Sequence, residues 1–195
     1  MHAQLATGTI HQQRRPAPNP GPAPVFSALI SESQGASPGV VFYRWGRCDP
    51  RPALPRLPRF SAGVTDDERL VAALADLDLA EVLARAQTGH RPYVAWIAGV
   101  PVAYGWSATH QATIGEVGLR FEVPVANRYL WDFATLPSWR GRGVYPQLLQ
   151  AILAHEAGAE QLWIGHVPAN LASARGIVKA GFRRVGVINR VPGVP

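Results

Sequence analysis

The residues with the clearest chemical potential lie between Leu136 and Tyr145, LPSWRGRGVY. A strand-like run ends at Leu136, a loop with two glycines follows, and an amphipathic helix begins near Val144. A helix N-terminus presents backbone N–H groups without intrahelical acceptors, and its dipole favours anions. Gly141 and Gly143 let the backbone approach a bulky anion, while Arg140 and Arg142 add charge-assisted, bidentate donors. The chemistry of such a loop is capture of a pyrophosphate; the same residues also fit a plain strand-to-helix connection. Two other phosphate loops are excluded. A Walker A loop needs Gly-Lys-Ser/Thr, and Lys179, the only lysine, lies far away. A dinucleotide fingerprint needs a third glycine where Pro146 stands. Nucleotide hydrolysis and hydride transfer are not expected.

The elements that must hold this loop are legible on either side of it. Downstream, Val144, Leu148, Leu149, Ile152 and Leu153 form one apolar stripe, predicting a helix from about Val144 to His155. Pro146 sits in its first turn, where a missing N–H costs nothing, and Gly158 breaks it. Gln161 to His166 then reads as a short strand, Asn170 to Ala180 as a helix closed by Gly181, and Phe182 to Ile188 as a strand. Upstream, Tyr93 to Ala98 and Val102 to Ala108 flank a tight turn, and Ile114 to Val123 and Tyr129 to Leu136 add two strand-like runs. The middle is therefore an antiparallel meander. Before it, Thr65 and Glu68 match a capping box, with Leu70, Val71, Leu74, Leu77, Val82, Leu83 and Ala86 at helical spacing behind. Asp76 and Asp78 are placed to split that stretch into two short helices. Val40 to Trp45 (VVFYRW) reads as a first strand, and 50–58 (PRPALPRLP), with four prolines, as a stiff connector.

Composition bounds the rest. The chain of 195 residues is 47% hydrophobic and 16% charged, which suits one globular domain with a core. Its net charge of +6 is uneven: residues 1–60 hold seven Arg and two acids, residues 61–195 twelve basic and eleven acidic residues. Eighteen of the nineteen cations are Arg; with abundant Ala, Gly and Pro this is the mark of GC-rich coding, not of a partner. Arg14 to Pro24 (RRPAPNPGPAP) favours extended, solvated chain, so residues 1–39 are expected to be a disordered leader. Only Arg14 and Arg15 charge that segment, without interleaved aromatics, so no nucleic-acid binding is expected. Cys48 alone can form neither an intramolecular disulfide nor a cysteine-rich zinc site, and the histidines lack ligand-like spacing; no metal is expected. Neither a signal peptide nor a membrane-length apolar run is evident, and the expected location is the cytoplasm, away from membranes.

With the elements in place, Arg140-Gly141-Arg142-Gly143-Val144 resembles the Arg/Gln-x-x-Gly-x-Gly/Ala loop of the GNAT superfamily of N-acetyltransferases. Asn170, Ser173 and Lys179-Ala180-Gly181-Phe182 resemble its second motif, one helix and one strand downstream. The resemblance is firm over about 129–188 and extends back to about residue 40. It implies an α/β fold: a mixed, mostly antiparallel sheet with a splayed parallel strand pair and flanking helices, over residues 40–195. It also implies acetyl transfer from acetyl-CoA to the amine of a small molecule or peptide, with a homodimer left open. Pantetheine would bond to the free strand edge of Phe133, Ala134 and Thr135, splayed from Gln161–His166. Arg140, Gly141, Arg142, Gly143, Val144 and Tyr145 would hold the pyrophosphate, and Asn170 and Ser173 the far end of the cofactor.

Amine acetylation needs a base for the amine and an acid for the departing thiolate, and a positioned base is worth roughly 100- to 10,000-fold. Asp132, between Trp131 and Phe133, is the first candidate base, with an ion pair to an arginine as the alternative. Glu116 and Glu122 either reach the acceptor pocket or face solvent. His166 either works through water or is a core histidine bonded to backbone. Many family members place a tyrosine four residues before the Gly of the second motif as the acid, but Ile177 stands there. Tyr145 is the available substitute, or a packing residue. Trp96, Tyr104 and Trp106 lie on the meander, as core or as acceptor-pocket lining. Only a short tail follows the final strand, so the family's terminal strand is short or absent, and the 25–46 region is placed to fill that edge. Ile177 and this shortening motivate the alternative of a degenerate domain that binds CoA or a protein partner without turnover.

Overall fold

The computed structural model describes residues 38–189. Its strands are β1 (Pro38–Gly46), β2 (Phe60–Val64), β3 (His90–Ile97), β4 (Val100–Ala108), β5 (Gln111–Ile114), β6 (Leu119–Glu122), β7 (Asn127–Thr135), β8 (Gln161–His166) and β9 (Arg183–Asn189). Its helices are α1 (Glu68–Ala75), α2 (Leu79–Gln87), α3 (Val144–His155) and α4 (Leu171–Ala180). Seven strands form one sheet in the order β2-β3-β4-β7-β8-β1-β9, and β5 and β6 pair separately. Every neighbouring pair is antiparallel except β7 and β8, which run parallel. The expected fold class is the observed one. The expected leader falls almost wholly outside the described residues.

The α3 stripe explains one face of the sheet. Val144, Leu148, Leu149, Ile152 and Leu153 are all buried, packed on Tyr43, Trp45, Val102, Leu130, Leu162 and Ile164. Burying a side chain of this size stabilises by roughly 1.5–3 kcal/mol, so this stripe fixes the helix against the sheet. On the opposite face, α1 and α2 cover Val94, Tyr104 and Trp106, while the β5–β6 hairpin covers Phe42, Tyr129 and Trp163. The proline connector lies across α3, where the Gln147 and Gln150 side-chain amides donate to the Pro55 and Pro52 carbonyls at 2.7 Å.

Several local expectations shift, each for a physical reason. The run Ile114–Val123 is not one strand: it breaks at a 3-10 turn over Gly115–Val117, with Gly118 in the left-handed region. Leaving the main sheet lets Ile114, Val117, Phe121 and Val123 all be buried. The capping box is replaced by Asp67, whose Oδ1 accepts from the Leu70 N–H at 2.9 Å; Thr65 instead accepts from the Asp67 N–H. The helix therefore starts at Glu68, which complements the dipole from the first turn. Asp76, at φ +55, and Asp78 do divide the stretch into two helices. β1 takes an inner position between β8 and β9 rather than an edge.

Candidate functional site

β7 and β8 begin as neighbours and then part. The parallel register runs from Asn127 opposite Gln161 to Leu130 opposite Ile164 and ends there. The splay therefore starts later than expected: Gln161–Ile164 are paired, and β7 from Trp131 onwards has no partner on its β8 side. On its other side β7 remains paired with β4, with Tyr104 opposite Ala134 and Trp106 opposite Trp131. Between those two pairs, Asp132 and Phe133 face the single residue Gly105, a bulge that puts Asp132 at φ +50. Gly105 is needed there, because a Cβ would lie 2.0 Å from the Phe133 ring.

The strand leads into the loop. Pro137–Trp139 form one 3-10 turn, and α3 starts at Val144 with Gly143 as its N-cap at φ +82. Gly141 has φ +74. No side chain caps this helix, and among the described residues no backbone acceptor takes the N–H groups of Gly141, Arg142, Gly143, Val144 or Tyr145. A Cβ at Gly141 or Gly143 would meet nothing within 4 Å, so the glycines answer to backbone conformation and an open approach, not to crowding.

Strand edge, loop and α4 enclose a cleft of about 530 Å³. It brings together Phe133, Ala134, Thr135, Arg140, Gly141, Gly143, Val144, Tyr145, Asn170 and Ser173. Arg142 does not join them and stacks over Trp139, 5.2 Å from the ring centroid. Arg140 also has a local task, since its Nε donates to the Thr135 carbonyl at 2.9 Å. Asn170 caps α4, its Oδ1 accepting from the Ser173 N–H at 3.0 Å. Trp139, Arg175 and Gly176 line the cleft as well without having been singled out in the sequence, and so does Lys179, which the sequence offered only as part of the second motif. Arg175 and Lys179 stand four apart on a helix, spacing that already put them on one face.

The acid and base candidates fare differently. Asp132 is one-third exposed and pairs with Arg85 through Nη1 at 2.5 Å; Arg85 also binds Glu81 at 2.6 Å. The guanidinium is held over Trp131 and Trp106, 4.6 and 5.1 Å from their centroids. Arg85 had no sequence signal, as it stands 47 positions from its partner. Tyr104, beside this pair, has its phenol pushed up by burial and by the Asp132 charge. Trp106 is fully buried, so it is core rather than pocket lining. Glu116 and Glu122 are exposed and do not line the cleft. They ride on the β5–β6 hairpin, which has left the main sheet. His166 is the core alternative: it bonds the Val167 carbonyl at 2.7 Å and the Tyr43 hydroxyl at 3.2 Å and is absent from the cleft. Tyr145 does line the cleft, its ring against Phe133 and Gly176 and its hydroxyl 3.3 Å from Ser173 Oγ. Burial pushes its phenol well up, against the weaker pull of Ser173. Ile177 is fully buried.

This geometry has counterparts. A family model described as the acetyltransferase (GNAT) family matches residues 54–182. A Novosphingobium aromaticivorans protein assigned to the GNAT family superposes at TM-score 0.51 and 19% identity, covering 79% of this chain and 66% of that one. Aminoglycoside acetyltransferase AAC(6')-Ib, solved with acetyl-CoA, gives 0.53 and 21% over 66% of this chain and 85% of its own. Aminoglycoside N-acetyltransferase AAC(6')-Iy, solved with CoA, gives 0.51 and 21% over 69% and 98%. No curated protein matches in sequence. A family match over most of the chain, on the elements that build the cleft, places this chain in the GNAT family of acetyltransferases.

Proposed function

We propose that the chain transfers an acetyl group from acetyl-CoA to the amine of a small molecule or peptide. The observation that carries this is the parting of β7 from β8 directly beside a helix N-terminus whose N–H groups lack acceptors. A long, flexible cofactor with amides at one end and phosphates at the other needs both features in that order. The cleft residues suit it, because Arg140, Arg175 and Lys179 line the cleft and no carboxylate does. Acetyl-CoA bound there would supply the activated acyl group. The Phe133–Thr135 edge would bond the pantetheine amides, the N–H groups from Gly141 to Tyr145 would hold the pyrophosphate, and Asn170 and Ser173 would line the facing wall. The Arg142 side chain, outside the cleft and over Trp139, adds only charge.

Asp132 is the base in this reading. It stands on the bulge at the splay, and Arg85 shared with Glu81 leaves its carboxylate partly exposed. Tyr145 is the donor toward the departing sulfur; its raised phenol keeps its proton throughout the working pH range. Burial of Ile177 and the Asp132–Arg85 pair favour one rival, a domain that binds CoA without turnover. Calorimetry with acetyl-CoA, followed by a thiol-release screen across small amines and peptides, separates the two. Binding with release on at least one amine is expected. Binding with no release on any amine favours the rival, and no binding sinks both.

A further inference from the structure

The cleft carries more positive charge than a pyrophosphate site needs. Among the described residues, the ion pairs engage Arg85, Arg91, Arg128 and Arg183. Arg175 and Lys179 thus have no carboxylate partner, and both are exposed. They belong to α4 and line the cleft from there. Positions four apart on a helix bring their Cβ atoms within about 5–6 Å, so a guanidinium fork and an ammonium stand side by side on one helix face along the cleft. The cleft already offers the helix N-terminus to a pyrophosphate, with Arg140 tied to the Thr135 carbonyl.

We infer that Arg175 and Lys179 form a phosphomonoester subsite, so that the chain distinguishes 3'-phosphorylated coenzyme A from its dephospho form. This rests on the acetyl-CoA reading above. A phosphomonoester carries about −1.5 to −2 charges at neutral pH and three acceptor oxygens, which match a fork plus a point charge better than a diester-like pyrophosphate does. The pair therefore sets which cofactor binds, without touching the reacting atoms.

The test is a calorimetric cycle on the full chain. Acetyl-CoA and acetyl-dephospho-CoA are titrated into the parent and into the double variant Arg175→Ala/Lys179→Ala, with thermal melting to confirm that both fold alike. The parent is expected to bind acetyl-CoA about tenfold or more tightly than the dephospho form. The double variant should lose that preference while its affinity for the dephospho form stays within about twofold. Equal binding of the two cofactors by the parent overturns the inference. So does a double variant that weakens both cofactors equally, which would assign the pair to the pyrophosphate, or one that weakens neither. Failure of the parent to bind either cofactor is distinguishable from these outcomes; it removes the acetyl-CoA reading and this inference together.

Discussion

The two ends of β7 follow opposite rules. At its start the strand is fully engaged: Asn127 accepts from the Trp163 indole at 2.8 Å, and Arg128 bonds Glu156 through Nε at 2.7 Å. Glu156, only 3% exposed, also meets Arg91 and the hydroxyls of Tyr93 and Ser107. Burial alone would push its carboxyl up, but Arg128, Tyr93 and Arg91 hold it below the usual carboxylate range. At the far end the strand has no partner on its β8 side, the loop's N–H groups lack acceptors among the described residues, and no carboxylate lines the cleft beside its cations. Polar groups satisfied within the protein stabilise the fold. Groups left open at the other end of the same strand are available to a ligand.

Asp132 is the sharpest test of that contrast, because it is an ion-paired carboxylate at the open end. Asp132→Asn is expected to lower turnover by roughly 100- to 10,000-fold with acetyl-CoA affinity unchanged, as steady-state rates and calorimetry would show. Lost thermal stability with turnover retained would instead class Asp132 with Glu156. Glu156→Gln strips a buried, multiply bonded charge and should cost about 3–5 kcal/mol in denaturant unfolding while cofactor affinity holds. Its pH signature follows from the sign of the shift. A carboxyl held low in the folded state stabilises fully above its unfolded value, near 4.3, and that contribution fades as acid drives the pH down through the folded value. The parent's acid-side loss of stability should therefore be shallower in Glu156→Gln.

Smaller effects are expected at the loop. Gly143→Val forces a branched residue to φ +82, a strain of about 1–2 kcal/mol, and should weaken acetyl-CoA binding about tenfold or more in a protein that still folds. Arg140→Ala should cost less, about tenfold at most, because its Nε is partly engaged by Thr135. Unchanged affinity in both variants would make the loop a plain connector and erase the contrast between the strand's ends.

What the sequence disclosed depended on how local the cause was. The bounds of α3 and β8 were legible to the residue, because stripe, cap and breaker lie within a few positions. β2, with the sequence FSAGV, was missed: it is a short edge strand that owes its conformation to β3 rather than to its own propensity. The expected strand over Ile114–Val123 failed because burial on one hairpin outweighed continuity. At the site, the loop and strand edge were visible as glycines and a strand end. The bulge at Asp132 was not, since nothing local asks an aspartate to take φ +50; it arises where Phe133 crosses Gly105. Arg85 was equally hidden, because only the folded helix pair brings it to β7.

The inner position of β1 has a consequence for how the chain is made. Val41 pairs with His166 on one side and with Val187 on the other, so the strand must wait for more than a hundred residues before either partner exists. During synthesis at about 5–20 residues per second, VVFYRW would spend several seconds or more as an apolar strand with two bare edges. Pairings this distant in sequence are slow to form, which makes closure of β8, β1 and β9 the late step of folding.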